Sequence, residues 1–511
     1  MPRYSYPILF LTSLAVLFTV TRFQSIPGYL DADYYFSGGL QLAQGKGFTE
    51  PYLWNYLEDP QGLPNPSHGY WLPLASIITA LGMWITGSQT YEAGRLFFIL
   101  LAALVAPLTA ALSYKFFKNT ALAWTSGFLA IFPVFHLPFL PVPDNYGVYM
   151  LAGGLIFLLA DRPRPWFWLG LLSGLMSLAR SDGLLWLVLI FLFIFWRMRD
   201  EKLSLRWLIE SGALAFLGFI LIMGPWYARN LQVFGSIMSP AGSRAMWVTN
   251  YDETFIYPAS QLTMQHWLSS GWDSILKTIW WAFKSNIGTV IAAQGHLILF
   301  PLIVIGMYLL RKDRRIQLGM LAWLIMFLVL TFIFPFAGVR GSLFHAGAAL
   351  QPLILAVIPY GLERIVAWAR SKNRFTDQAY VIFRIVIIQI VIFVSVWVVW
   401  FRVIQNGWEE GELSYPAVEQ FIVDHGAQPG DRLIVLSAPG YYMMTGRPAL
   451  AQPYGDVNTL LAVAERYDAR FFAFEASGKI ELLKDVYDNP QNYPQLVYLG
   501  EIDETRIFRI P

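Results

Sequence analysis

The 511-residue chain contains no cysteine and few charged residues. The absence of cysteine excludes disulfides, thiolate metal sites and a cysteine nucleophile. Asp, Glu, Lys and Arg make up only 14% of the chain, against roughly 25% in a soluble domain. Apolar residues take their place, at 56% of the total. We therefore predict an all-α polytopic membrane protein, and the formal net charge of +2 gives no reason to expect a nucleic-acid partner.

Eleven apolar segments are predicted membrane spans, since crossing a bilayer as a helix takes about 20 residues. With a cytoplasmic N-terminus, every basic cluster between these segments falls on the cytoplasmic side, as the positive-inside rule requires. We expect a retained first span and location in a prokaryotic cell membrane, with membrane lipids as surroundings. The predicted spans are 4–22, 93–114, 121–142, 144–160, 166–180, 183–197, 207–224, 287–310, 316–335, 346–368 and 381–403.

Two segments are ambiguous, and the same charge rule decides both. Residues 166–196 have basic flanks at each end, which predicts a hairpin of two short helices that meet at "ARSDG". Residues 71–87 are apolar enough to span, but counting them would place the later basic clusters outside. They are therefore predicted to form a helix lying along the membrane surface.

The long loops and the C-terminal segment differ in composition from the spans. Residues 23–92 and 225–286 are predicted outer loops with juxtamembrane helices, and Gln261–Lys284 is amphipathic and rich in tryptophan. Acidic residues become frequent after residue 404, where "DRLIVLSA", "RFFAFEA" and "TRIFRIP" predict strands and "VNTLLAVAERY" predicts a helix. The prediction is a transmembrane domain at 1–403 and an extracytoplasmic α/β domain at 404–511.

Polar residues that are costly in a membrane collect at the outer ends of the predicted spans. Such residues are usually functional when they converge. They are Asp31, Asp33, His68, Asp144, Arg180, Asp182, Arg229, Arg340 and His345.

Four motifs in chain order resemble a known group of enzymes. They are "DADYY" with "LAQGKGF", "PSHGYWLPLASIITALGMWITGSQTYEAGRL", "LARSDGLL" and "GPWYARNLQVFGS". Together they resemble the GT-C superfamily of membrane glycosyltransferases, in particular the protein O-mannosyltransferase and aminoarabinose lipid A transferase type of glycosyltransferase family 39. The resemblance covers about 1–403, and the tail resembles the soluble outer domain that many members append.

This resemblance implies an inverting hexosyl- or pentosyltransferase. Its donor would be a polyprenyl-phosphate sugar, and its acceptor a lipid, a glycan or a protein. The family often has adjacent Asp and Glu where this chain has Asp31 and Asp33 separated by one residue. Either acid is therefore a candidate for the catalytic position.

Sugar transfer needs a base to take the acceptor proton, and Asp31 or Asp33 is the expected base. Residues two apart on a helix point about 200° apart, so only one is expected to face the sugar. The alternative is that both acids simply favour the positive end of a helix. The resemblance implies that Asp144 is a second acid of the catalytic site, and the alternative is a helix cap. Three such carboxylates suit a divalent cation, so Mg²⁺ or Mn²⁺ at Asp31, Asp33 and Asp144 is a further expectation.

The cationic candidates would receive the departing phosphate. Arg340 and His345 lie at a helix entrance, where backbone N–H groups also favour phosphate, although Arg340 has the alternative of reaching to water from the interface. Arg229 lies in a motif of the resemblance. Arg180 and Asp182 are expected either to bind substrate or to pair with each other. His68 is expected either to contact the acceptor or the sugar, or to be an incidental loop residue.

Two other functions compete with glycosyl transfer. A transporter or lipid flippase usually has repeated halves, broken helices and ionisable residues near the midplane. Here the span interiors are nearly free of charge, which favours chemistry at one membrane face. A non-catalytic scaffold would tolerate the loss of both Asp31 and Asp33.

Overall fold

The computed structural model describes residues 1–376, 378–408 and 411–511, and most of them are helical. Apolar residues dominate the helices of the first half. These are α1 (Ser5–Thr21), α2 (Leu30–Ala43), α3 (Leu74–Thr86), α4 (Tyr91–Ala103), α5 (Val105–Phe117), α6 (Thr120–Ile131), α7 (Tyr146–Leu159), α8 (Trp166–Ala179), α9 (Leu184–Asp200) and α10 (Leu205–Phe234).

The second half mixes long apolar helices with short amphipathic ones. They are α11 (Pro240–Arg244), α12 (Met264–Ser269), α13 (Trp272–Gly288), α14 (Phe300–Leu309), α15 (Arg314–Leu328), α16 (Pro335–Val339), α17 (Ser342–Gly347), α18 (Gln351–Ser371), α19 (Ala379–Val399), α20 (Tyr415–Asp424), α21 (Ala438–Thr445), α22 (Val457–Tyr467) and α23 (Lys484–Asp488).

Every predicted span coincides with an apolar helix or helix pair, which confirms the predicted fold class. Among the described residues, 6 helices are long and apolar enough to cross a membrane, or 7 if one bent pair is counted as a span. The other predicted spans fall on shorter apolar helices, which include α8 of the predicted hairpin. A helix is present within 71–87, as α3, and its position along the membrane surface stays a prediction. The chain is therefore an integral membrane protein.

The span predicted at 287–310 is broken, which corrects that prediction. Residues Trp272–Gln294 and Leu297–Leu309 are helical, but they meet at a bend of 86°. His296 lies in the left-handed region at a φ of 49°, which no helix continues through. Side chains satisfy polar groups at the break: His296 Nε2 lies 2.7 Å from Gln351 Oε1, and Gln294 donates to the carbonyl of Leu343.

The loop predicted from residue 225 begins later than expected. Helix α10 continues to Phe234 with Pro225 inside it. Proline removes one backbone donor but does not end a helix whose neighbouring turns are otherwise bonded. The motif "PWYARNLQVF" is therefore helical.

Contacts divide the described residues into two compact units. The helix unit comprises Met1–Phe23, Arg95–Ala228 and Ile279–Gly407. The mixed unit comprises Gln24–Gly94, Arg229–Thr278 and Trp408–Pro511, so it combines the long loops with the C-terminal segment. The domain boundary at residue 404 stays a prediction.

The helix unit has a buried span and an exposed one. The most apolar window of Ser342–Ser371, which contains α18, is 83% buried, whereas that of Ala379–Gln405, which contains α19, is 17% buried. An apolar helix with most of its surface uncovered suits contact with lipid, since lipid tails are as apolar as its side chains. Helix α19 is therefore placed at the lipid-facing surface of this unit, and the mostly buried α18 in its interior.

In the mixed unit, α2 and α3 pack closely through a small residue. A Cβ atom added at Gly39 of α2 would lie 2.5 Å from the Thr79 side chain of α3. Any larger residue at position 39 would push the two helices apart. This packing fixes the helix that carries Asp31 and Asp33.

The C-terminal segment contains the predicted α/β elements, which confirms that part of the fold class. Its strands, with a separate two-residue pair in the first loop, are β1 (Thr49–Glu50), β2 (Asn65–Pro66), β3 (Arg432–Val435), β4 (Ala449–Ala451), β5 (Ala469–Glu475), β6 (Val497–Ile502) and β7 (Thr505–Arg509). The last five form one sheet in the order β4-β3-β5-β7-β6. Strands β3, β4 and β5 are parallel, while β7 runs antiparallel to both β5 and β6.

The first loop joins the edge of this sheet. Leu53 N donates to Ala449 O at 2.8 Å, and Ala451 N donates to Leu53 O at 2.7 Å. Leu53 and Tyr56 are buried in the same apolar core as the sheet residue Phe472 and the α22 residue Leu460. Loop and C-terminal segment therefore share one core.

Leu460→Ala tests that shared core. Leu460 is fully buried, so truncation is expected to cost about 2–5 kcal/mol in lost burial and cavity formation. Hydrogen exchange of the β5 amides in the detergent-solubilised protein should accelerate accordingly. The matched control is Leu482→Ala, whose side chain is 56% exposed, and which should change exchange little. Equal effects of the two variants would contradict the assigned core.

Candidate functional site

The first turn of α2 carries the two acids of the first loop. Helix α2 begins at Leu30, and Asp31 and Asp33 both lie in its first turn, after the N-cap residue Tyr29. Tyr29 makes no side-chain capping bond. Negative charge is favoured at this end of a helix. Helix stabilisation therefore accounts for the presence of acids here, and their surroundings must distinguish their roles.

The two acids have different surroundings. Asp31 is partly exposed, whereas Asp33 is fully buried. Burial, together with the negative charges of Glu412 and Asp31, raises the pKa of Asp33 well above its usual range. Because a raised pKa favours the protonated form, Asp33 is poorly suited to serve as a carboxylate base for a substrate. Asp31 is the better candidate.

Asp144 lies just before α7 in the helix unit. The N-cap residue is Asn145, so Asp144 is not the helix cap that we considered as an alternative. Its side chain is 1% exposed, and its Oδ1 accepts the backbone N–H of Asn145. His345 Nδ1 lies 4.0 Å from the same oxygen. Two predicted site residues of this unit therefore meet.

Tyr146 orients His345 toward Asp144. The Tyr146 hydroxyl lies 2.7 Å from His345 Nε2, and the two rings stack with centroids 4.2 Å apart. With Nε2 engaged, Nδ1 is the nitrogen that faces the carboxylate. The ring is thus held from its face and from one edge.

The Asp144–His345 pair fits two ligands of one divalent cation. Oxygen and imidazole ligands lie about 2.0–2.2 Å from such an ion, so two of them lie at most about 4.4 Å apart. The observed 4.0 Å is within that limit. Asp33 fits less well, because its buried carboxyl is next to Glu412 and favours the neutral form.

Arg180 and Asp182 form the mutual ion pair that we considered. Arg180 Nε donates to Asp182 Oδ2 at 3.1 Å, and the Tyr149 hydroxyl donates to Asp182 Oδ1 at 2.6 Å. Arg180 also acts electrostatically on His345. Arg340 follows α16 and is exposed. Arg180 is thus paired and largely buried, whereas Arg340 is exposed.

Arg229 uses its guanidinium to tie together the first loop. Its Nη2 donates to Ser67 O at 2.9 Å and to Phe48 O at 3.5 Å, and its Nη1 donates to Asn230. These guanidinium hydrogen bonds hold the backbone of the first loop in place. A phosphate-binding role for Arg229 stays a prediction, with a structural role now supported by contacts.

His68 connects three parts of the mixed unit. Its Nδ1 lies 2.6 Å from Ser67 Oγ and its Nε2 lies 2.9 Å from Ser76 Oγ of α3. Its backbone N–H donates to the Tyr34 hydroxyl of α2 at 2.7 Å. Burial lowers the pKa of His68 to about 3, so the ring is neutral at neutral pH. His68 is therefore not an incidental loop residue, since its hydrogen bonds connect the loop to α2 and α3.

Sequence reasoning missed several residues of these clusters. Tyr146 and Tyr149 follow Asp144 in "PVPDNYGVYM", and their helical spacing places them on the same side of α7. Their place in the first turn of the helix that follows Asp144 was the one sequence feature that could have identified these two tyrosines. Glu412 stood out only as part of an acidic stretch, and nothing in its local pattern indicates Asp33 as its neighbour.

Known structures share this fold across nearly the whole chain. An oligosaccharyltransferase from Archaeoglobus fulgidus in complex with Zn and sulfate aligns with a TM-score of 0.56 at 13% identity, covering 99% of this chain and 73% of that one. AglB from the same organism, in complex with an inhibitory peptide and a dolichol-phosphate, aligns at 0.54 and 12%, covering 99% and 74%. ArnT from Cupriavidus metallidurans bound to undecaprenyl phosphate aligns at 0.50 and 14%, covering 99% and 98%.

No family model and no curated protein matches this sequence. The structural neighbours are GT-C superfamily membrane glycosyltransferases. The chain therefore has the GT-C fold, which confirms the resemblance predicted from the four motifs at the level of fold.

His68→Ala tests the structural role of this residue. Removing the ring abolishes its hydrogen bonds to Ser67 and Ser76 and should cost about 1–3 kcal/mol, seen as a lower thermal unfolding midpoint. The exposed His425 offers the matched variant His425→Ala, which should leave the midpoint unchanged. An unchanged midpoint for His68→Ala would argue against the structural role.

Proposed function

We propose that the chain is an inverting glycosyltransferase that uses a polyprenyl-phosphate sugar at the extracytoplasmic membrane face. Its acceptor is a lipid, a glycan or a protein. The observation that carries the proposal is the partly exposed Asp31 at the start of α2, in a chain with the GT-C fold. Neighbours whose structures hold dolichol-phosphate and undecaprenyl phosphate support the donor class.

In this proposal Asp31 is the base. The acceptor oxygen or nitrogen attacks the anomeric carbon of the sugar, and its proton passes to the Asp31 carboxylate. The bond between the anomeric carbon and the phosphate oxygen breaks, and polyprenyl phosphate leaves. A single displacement inverts the anomeric configuration. General base catalysis of this kind contributes about 10²–10⁴ in rate.

The residues proposed to bind phosphate belong to the helix unit. Arg180 and Arg340 are proposed to receive negative charge on the leaving group, since arginine binds phosphate with paired donors. Asp144 and His345 are proposed to hold a divalent cation, which would neutralise phosphate charge when bound. Tyr146 keeps His345 in the orientation that faces Asp144.

A lipid-sugar flippase is the second candidate, and the 86° break in one helix pair favours it. Broken helices are common where transporters bind substrate. Transport would move the lipid-linked sugar without releasing free polyprenyl phosphate. The product formed therefore distinguishes the two functions.

Incubation of the purified protein with a panel of polyprenyl-phosphate sugars and acceptors tests the proposal. The wild type should release free polyprenyl phosphate, and Asp31→Asn should lower that rate by about 10²–10⁴. Asp33→Asn is the matched variant, two residues away on the same helix. It should retain activity within about tenfold, because a neutral side chain suits its buried site.

Either of two results would contradict the assignment. Release of no polyprenyl phosphate across a broad panel would argue against glycosyl transfer. Equal loss of activity in Asp31→Asn and Asp33→Asn would argue against Asp31 as the base.

A parallel set of reactions with chelator tests the proposed cation. Release of polyprenyl phosphate should fall with chelator and return with added Mg²⁺, Mn²⁺ or Zn²⁺.

A further inference from the structure

Helix α2 buries a row of polar side chains. Asp33, Ser37 and Gln41 are spaced by four residues, so they lie along one face of the helix. Their exposed fractions are 0%, 0% and 2%. Buried polar groups are costly unless they are paired, so the partners of this row are informative.

The partners belong to the C-terminal segment, Trp408–Pro511. Gln41 Nε2 donates to the Tyr442 hydroxyl at 2.8 Å, and Ser37 Oγ donates to Pro439 O at 3.5 Å. Asp33 interacts with the carboxyl of Glu412. Tyr442 and Pro439 belong to the same short helix, α21.

The contact leaves no spare room at Gly440. A Cβ atom there would lie 3.2 Å from Glu412 Oε1 and 3.3 Å from Asp33 Oδ2. It would also lie 2.9 Å from Ser437 Oγ, which caps α21. The absence of a side chain at position 440 thus lets the α21 backbone approach both carboxyls.

A second contact holds the chain just before α2. Trp408 Nε1 donates to Pro27 O at 3.0 Å and to Ile26 O at 3.2 Å. The Trp408 ring also meets the N-cap residue Tyr29 edge to face, with ring centroids 5.7 Å apart. The C-terminal segment therefore holds α2 along one face and at its entrance, and Asp31 lies beside that entrance.

Polar contacts of this kind determine rotation more than stability. An apolar face can slip and still bury its area, whereas each hydrogen bond requires its own partner. Turning α2 by one residue, about 100°, would separate Asp33, Ser37 and Gln41 from their partners. The same turn would carry the Asp31 carboxyl away from its present direction.

We infer that the C-terminal segment sets the direction of Asp31 by holding the Asp33–Ser37–Gln41 row, with Glu412 and Tyr442 as positioning residues. The inference rests on the proposed function, in which Asp31 is the base. The C-terminal segment is then required for the transfer step without contacting the reacting atoms.

Tyr442→Phe in the full-length protein tests the inference, since it removes only the hydroxyl that binds Gln41. The matched control is Tyr487→Phe, which removes a hydroxyl that donates to Glu504 O at 2.8 Å within the same segment. Both hydrogen exchange of the α2 amides and the kcat and KM for donor are measured. Tyr442→Phe should raise exchange and lower kcat about two- to tenfold with KM unchanged, while Tyr487→Phe changes none of these.

Asp33 provides a rescue test of the same row. Asp33→Ala should lower kcat and raise α2 exchange, because it empties the space beside Glu412 and Gly440. Asp33→Asn keeps the size and offers an N–H donor to Glu412, so it should restore both values. Loss of packing alone would not predict recovery of kcat through a polar isostere.

The outcomes separate this inference from the proposed function. If the wild type releases no polyprenyl phosphate, the proposed function fails, and α2 exchange alone decides whether the segment holds the helix. Identical α2 exchange in Tyr442→Phe and Tyr487→Phe would overturn the inference, as would equal kcat values in an active enzyme. Should Tyr442→Phe not fold, Gln41→Met removes the same hydrogen bond from the opposite side and should give the same exchange increase.

Discussion

The proposed chemistry depends on the divergence of two carboxyls on one helix turn. Asp31 and Asp33 are two residues apart, so the helix directs them to opposite sides. One side is buried against Glu412, where burial and like charge favour the neutral form, and the other stays partly exposed. Asp31, the partly exposed acid, is therefore the one that we propose as the base. We propose that Asp33 helps to hold the helix that carries Asp31.

Much of the fold could be predicted because a membrane imposes simple rules on sequence. Apolar length and the distribution of basic residues placed a helix at each predicted span, and short apolar segments located the strands around Phe472 and Phe508. The break at His296 was missed, since hydropathy does not report a left-handed residue or side chains that satisfy a broken helix. The continuation of α10 past Pro225 was missed because a proline in a sequence predicts the end of a helix, whereas this one lies inside it.

The candidate site was predicted less completely, because its contacts join distant parts of the chain. Local pattern indicated Asp31, Asp144 and His345 as residues placed where chemistry occurs. It could not indicate that Tyr146 holds His345 from 199 residues away, or that Gln41 meets Tyr442 across 401 residues. Such pairs form when whole helices and strands pack together, and no periodic pattern in the sequence indicates them. They also give His68 and Arg229 structural contacts within the mixed unit, while the phosphate-binding role of Arg229 stays a prediction.

Chemical rescue tests the central claim that Asp31 is the proton acceptor. Asp31→Ala leaves a space beside a partly exposed position, where a small carboxylate such as formate can take the acceptor proton. Release of polyprenyl phosphate by Asp31→Ala should rise with added formate, whereas release by Asp33→Ala should not respond. Rescue of Asp33→Ala with no response from Asp31→Ala would contradict the account.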